Sequence, residues 1–167
     1  MEEPETEANM TLLKKSDAEE AKFDWGVNFV SVKCNLVTGE LCSDRFIYDT
    51  GAGANVVNRF QRKLVRNFRP CQGNVVGAGG RIVGAIIGEG TITVLGREMP
   101  VYYGPDLPKS VFSIGVFTRD YGFGIWFKGN LCITWLPKHM IRVGRPDYEV
   151  ISLGEDTLYD MPSAWFD

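Results

Sequence analysis

The stretch Phe46-Ile47-Tyr48-Asp49-Thr50-Gly51-Ala52-Gly53-Ala54-Asn55-Val56-Val57 decides how the rest of the chain is read. Three large apolar or aromatic residues run into a carboxylate. A hydroxyl residue, a glycine and a small residue follow at once. The pattern predicts a strand over Leu41–Tyr48 that ends in a tight turn at Asp49. Thr50 can lock such a turn through its hydroxyl, and Gly51 lets another backbone approach closely. Two readings fit these residues. One is an aspartic peptidase, in which two carboxylates share one proton and activate a water. The other is a strand followed by an Asx-turn with no chemistry.

Upstream, Trp25 to Cys34 alternates apolar and polar residues with period two, and Thr38-Gly39 reads as a hairpin turn into the Asp49 strand. Downstream, β-type runs are predicted at Asn74–Val76, Arg81–Ile87, Thr91–Leu95, Met99–Tyr103 and Gly124–Phe127, with glycines between them. Ser113–Tyr121 is the best helix candidate, because Ile114, Phe117 and Tyr121 share a face and Gly122 stops it. Many short strands with one helix predict an all-β barrel or sandwich, mostly antiparallel. Residues 1–22 carry six glutamates and one aspartate and read as a flexible acidic leader. The folded domain is expected over 23–137. Residues 138–167 form a C-terminal extension, with one docked strand near Tyr148–Leu153 and then a loose tail.

A chain of 167 residues with 44% hydrophobic content suits a single globular domain. Its net charge of −3 argues against a nucleic-acid binder held by phosphate contacts. The basic run from Arg59 to Arg69 reads as a solvated edge segment lying over the barrel. No apolar run is long enough to span a bilayer, and the acidic start is no targeting signal, so no membrane partner and a cytoplasmic location are expected. Cys34, Cys42, Cys71 and Cys132 form no C-x-x-C pair and His139 is the single histidine, so no metal and no cofactor are expected. The four thiols read as reduced and mostly buried, and His139 as a surface or strand-end residue. Gly51-Ala52-Gly53 and Gly77-Ala78-Gly79 begin like dinucleotide loops, but Val56 and Ile82 stand where the third glycine belongs. No phosphate-binding G-x-x-x-x-G-K-[ST] loop occurs.

Asp49-Thr50-Gly51-Ala52 with its apolar flanks resembles the active-site strand of the retropepsin-like aspartic proteases of retroviruses and retrotransposons. Val76-Gly77-Ala78-Gly79-Gly80-Arg81 resembles that family's flap, a mobile glycine-tipped hairpin. The segment Gly104 to Phe127 looks like the second half of a copia-type protease, with a Pro105-Asp106-Leu107 turn, a core segment at Val111–Ile114, a helix, a glycine and a closing strand. Cys132-Ile133 also fits. The resemblance covers about residues 25–135. It implies a closed barrel with one short C-terminal helix, and a homodimer, since only one Asp-Thr-Gly occurs and the second carboxylate must come from a twofold copy. By the same likeness Asp49, Thr50 and Gly51 are catalytic, with Thr50 bonding across the interface. Ala52, Gly53, Val76, Gly77, Ala78, Gly79 and Gly80 bind substrate. The substrate is a polypeptide, the chain's own polyprotein, with virus-like particles as one place of action. Thr157-Leu158-Tyr159-Asp160 resembles the leader into the next region of such polyproteins.

The chain departs from the family at three places. Thr50 stands where copia-type members more often carry serine, Gly53 and Ala54 stand where retroviral members carry carboxylates, and Gly115 follows Ser113-Ile114 rather than a second aliphatic residue. Intact Asp49, Thr50 and Gly51 favour an active endopeptidase. The residues at 53 and 54 keep open a domesticated, catalytically weak or inactive domain serving dimerisation or peptide binding. A single-chain β-barrel without catalysis is the third reading.

Overall fold

A computed structural model of the chain describes residues 29–140, 146–154, 156 and 158–166. The acidic leader, the first residues of the expected domain at 23–28 and Thr157 lie outside the described residues. Seven strands build one mixed sheet: β1 (Phe29–Lys33), β2 (Phe46–Asp49), β3 (Val56–Val57), β4 (Arg66–Val76), β5 (Ile82–Val94), β6 (Arg97–Tyr103) and β7 (Ser110–Ser113). Their order across the sheet is β1-β4-β5-β6-β3-β7-β2. The long β4–β5 and β5–β6 pairs are antiparallel, whereas β1–β4, β3–β6 and β2–β7 are parallel. A second, antiparallel sheet has the order β10-β9-β8, from β8 (Gly124–Lys128), β9 (Leu131–Trp135) and β10 (Tyr148–Ser152). The protein is thus mostly strand. No helix among the described residues is long and apolar enough to cross a membrane.

Period-two alternation places β2 between two cores. Phe46 and Tyr48 join a cluster with Phe112, Phe117, Met99 and Cys132, while Ile47 joins Val32, Val56, Ile86, Leu107 and Val111 on the other face. Every residue of β2 is therefore buried. A strand apolar on both faces suits parallel pairing inside a covered sheet, and β2 lies beside β7 in register Asp49↔Ser113. The turn expected at Thr38-Gly39 exists, with Gly39 at φ +89, but it closes no hairpin: β1 pairs with β4 and β2 with β7. The strand expected from Leu41 begins only at Phe46. Leu41 is 92% exposed, and Ser43 N–H bonds the Pro108 carbonyl at 2.8 Å instead of entering a ladder.

The basic run splits into a 3-10 helix (Arg59–Leu64) and the start of β4, so part of it is sheet rather than a segment over one. Asn58 accepts the Phe60 N–H at 3.1 Å and starts that helix. The second helical segment runs from Ile114 to Tyr121, with a π-type stretch at Val116–Asp120. Ser113 Oγ accepts the Val116 N–H at 3.1 Å, and Gly122 at φ +75 ends it.

The tail after β10 is not loose. Met161, Trp165 and Phe166 are buried in the first core, and Phe166 stacks on Phe46 with ring centroids 4.1 Å apart. Tyr48 N–H donates to the Tyr159 carbonyl at 3.0 Å and Met161 N–H to the Phe46 carbonyl at 2.8 Å. The tail thereby covers the outer edge of β2. Arg45 fastens it, reaching Asp160 through Nε and Nη2 at 2.8 Å each and pairing also with Asp156. Aromatic residues so near the C-terminus are drawn in because burying each removes a large apolar area from water.

Candidate active site at the Asp49 turn

Asp49 ends β2 with only 3% of its surface exposed. A buried carboxylate needs donors, and three N–H groups serve it. Gly51 N–H reaches Oδ1 at 2.8 Å, which is an Asx-turn. Asn35 N–H reaches Oδ2 at 2.8 Å, and the Asn35 side-chain amide reaches Oδ1 at 2.6 Å. The end of β1 and the turn after β2 meet here, since Gly53 N–H also donates to the Lys33 carbonyl at 2.9 Å. Asn55 ties in the neighbouring strands: its buried Oδ1 accepts the Ser113 N–H at 2.8 Å, and its carbonyl accepts the Tyr102 N–H at 2.9 Å. Beneath the turn, the buried Tyr48 hydroxyl meets Thr134 Oγ1 at 2.9 Å. Burial pushes that phenol well above its ordinary range.

The sequence-predicted residues fall out unequally. Ala52 is buried, whereas Thr50, Gly51 and Gly53 are exposed. Thr50 makes no hydrogen bond within the described residues, so its hydroxyl does not lock the turn; the Asp49 carboxylate does. What approaches Gly51 is a side chain rather than a backbone: a Cβ on it would lie 2.6–2.8 Å from the Asn35 carboxamide. The glycine-rich stretch is the tip of the β4–β5 hairpin, with Ala78, Gly79 and Gly80 exposed and Val76 and Gly77 half-buried. Gly77 N–H bonds the Arg81 carbonyl at 2.8 Å and Gly80 N–H the Gly77 carbonyl at 3.0 Å. The tip reaches the Asp49 turn only through residues 34–36. Ala78 N–H donates to the Leu36 carbonyl at 3.1 Å and Cys34 N–H to the Val76 carbonyl at 2.9 Å.

Asn35 and Asn55 were not singled out by sequence. Asn35 lies in an unremarkable Cys-Asn-Leu triplet and meets Asp49 across fourteen positions. For Asn55 a signal existed: a polar residue immediately before the apolar pair Val56-Val57. His139 is exposed and lies against Arg97 at 2.7 Å, away from this turn. All four thiols are free; Cys34 and Cys132 are buried and Cys42 and Cys71 half-buried. Burial, with a smaller push from Asp49, raises the Cys34 thiol to about 11, so it stays protonated beside the site. Among the described residues no group of three His, Cys, Asp or Glu side chains could hold a metal ion.

Comparison with protein-family models, with curated proteins and with solved structures finds no match to this chain.

Proposed function

We propose that this chain is a retropepsin-like aspartic endopeptidase that works as a homodimer. The observation that carries the reading is the Asp49 turn itself: a lone Asp-Thr-Gly at the end of a doubly buried strand, with Gly51 N–H on the carboxylate and an exposed Thr50 hydroxyl that has no partner among the described residues. One chain contributes one such carboxylate, so a second copy supplies the other. In this reading the barrel closes near the end of β1, where Gly53 in the turn after β2 bonds Lys33.

In the dimer the two Asp49 carboxyl groups lie about 3 Å apart and hold one proton between them. The ionised partner takes a proton from water, whose oxygen attacks the scissile carbonyl carbon. The protonated partner gives its proton to the carbonyl oxygen. Collapse of the tetrahedral species breaks the C–N bond, and the amine leaves with a proton. The hairpin tip at Gly77–Arg81 folds over the peptide and excludes water. The polypeptide substrate is the polyprotein from which such a domain is released.

The test is incubation of the chain, over a range of concentrations, with its parent polyprotein beside the Asp49→Asn variant. Pepstatin-sensitive cleavage with a bell-shaped pH profile peaking below neutrality is expected, absent in Asp49→Asn. Activity per protomer falls on dilution. Cleavage that persists in Asp49→Asn, or a monomer with full activity, overturns the proposal.

The near-complete burial of Asp49 favours a second reading, in which the same fold serves dimerisation or peptide binding without catalysis. Dimers with no pepstatin-sensitive cleavage at any pH would select it.

A further inference from the structure

We infer that the Asn35 side chain is a removable cap on Asp49, which the free protomer uses to occupy the place that the second carboxylate needs. The inference rests on the homodimeric reading above and deepens it.

Asp49 is 97% shielded, yet the residues around it in the turn, Thr50 and Gly51, are exposed, and so is Asn35. The carboxylate is therefore close to the surface and covered from outside. Its three donors do different work. Gly51 N–H holds Oδ1 and Asn35 N–H holds Oδ2, each at 2.8 Å. Two backbone donors, one on each oxygen, already fix the plane of the carboxylate. The Asn35 carboxamide, at 2.6 Å from Oδ1, adds nothing to that orientation. What it does is take the remaining lone pair of Oδ1. It also lies flat on Gly51, within 2.6–2.8 Å of where a Cβ would stand, and so occupies the outward face of the Asp-Thr-Gly turn.

A second Asp49 sharing a proton must bring an oxygen to within about 3 Å of this carboxylate. With the carboxamide in place, Oδ1 already accepts two N–H bonds and the approach to it is filled, while Oδ2 accepts one. The carboxamide can leave by rotation about χ1 and χ2 alone, because the backbone N–H bond to Oδ2 does not depend on it. Association of two protomers therefore carries the loss of two hydrogen bonds to charged groups, one in each protomer, a cost equivalent to about a hundredfold or more in the dimer dissociation constant.

The test compares wild type, Asn35→Ala and Asn35→Ser by sedimentation equilibrium, with cleavage of the parent polyprotein measured across enzyme concentration. Both variants keep the backbone donor. Asn35 is exposed, and thermal unfolding checks that both variants fold. The expected result is a dimer constant about a hundredfold tighter in Asn35→Ala, with Asn35→Ser between it and wild type. Activity per protomer then rises at low concentration. A wild type that stays monomeric while Asn35→Ala dimerises also supports the cap. An unchanged dimer constant overturns it, whether activity holds or falls; lower turnover at saturation would make Asn35 an orienting donor instead. The peptidase reading fails separately, if wild type dimerises without cleaving, and the dimer constants still decide the role of Asn35. If no form dimerises, both fall.

Discussion

The Asp49 turn and the Gly77–Arg81 tip are both glycine-bearing bends at strand ends, but they are held by opposite means. β2 leads into the Asp49 turn with Phe46 and Tyr48 in one core and Ile47 in the other. Ala52 beyond it is buried, and three N–H groups converge on the carboxylate. The tip carries no buried side chain, and backbone bonds alone hold it. Local opening requires losing whatever holds a segment, so the tip opens at low cost and the turn only with the fold. In the proposed peptidase, motion over a ligand would belong to the hairpin and positional accuracy to the turn.

The strongest way to break this contrast is to remove the tail that covers the edge of β2. Ending the chain after Gly154 discards Met161, Trp165 and Phe166 with the two backbone bonds to Phe46 and Tyr48. Losing one buried large aromatic costs about 3–5 kcal/mol, and whole domains have only about 5–15. The shortened chain should be unfolded at 25 °C by circular dichroism. An unchanged urea midpoint would show that the tail is dispensable to β2. Next in size is the core itself. Phe112→Ala empties a fully buried site beside Phe46 and Phe117 and should cost about 3–5 kcal/mol in denaturant titration. Ile82→Ala, at a site 59% exposed at the tip's base, should stay within about 0.5 kcal/mol.

The tip can be sharpened by pairing two glycines. A Cβ on Gly77 would lie 2.3 Å from the Leu36 carbonyl oxygen, a backbone atom that cannot swing aside. Gly77→Ala should cost about 1–3 kcal/mol and loosen the tip from residues 34–36, seen as faster amide exchange at Ala78. A Cβ on Gly79 meets nothing within 4 Å, and Gly79→Ala should change stability by no more than about 0.5 kcal/mol. Equal effects would place the anchor elsewhere. Gly77, Gly79 and Gly80 read alike from sequence; a close backbone approach sets Gly77 apart and a φ of +79 sets Gly80 apart, whereas Gly79 shows neither.

The smallest effect concerns pH at the tail's fastening. The Arg45 guanidinium beside Asp156 holds that carboxyl below its ordinary range. A carboxyl depressed on folding stabilises the fold above its unfolded value and loses that contribution as pH falls through the folded value. Asp156 is at the surface, so the contribution is small. Acid unfolding of Arg45→Met should therefore start from a slightly lower neutral-pH stability and fall less steeply below about pH 4 than wild type. Parallel curves would mean the pair carries no stability.

The sequence by itself determined that this is a mostly-β chain, that the strand before Asp49 is buried and ends in a carboxylate turn, and that a helix runs to Tyr121 before Gly122. These follow from local rules: period-two alternation, an apolar helix face, and glycine at a stop. It did not show that β1 and β2 part company, because a turn at Gly39 looks the same whether or not its strands pair, and pairing is settled by distant partners in β4 and β7. β3, β7 and β9 were invisible for the same reason; short runs become strands only when neighbours offer a ladder. The tail read as loose because Trp165 and Phe166 stand in no periodic pattern, and their burial depends on a cavity formed by Phe46 and Phe112. At the site, Asp49, Thr50 and Gly51 were legible as a contiguous motif. Asn35 was not, since a hydrogen bond between residues fourteen apart leaves no local trace, and only the folded sheet brings its amide onto the carboxylate.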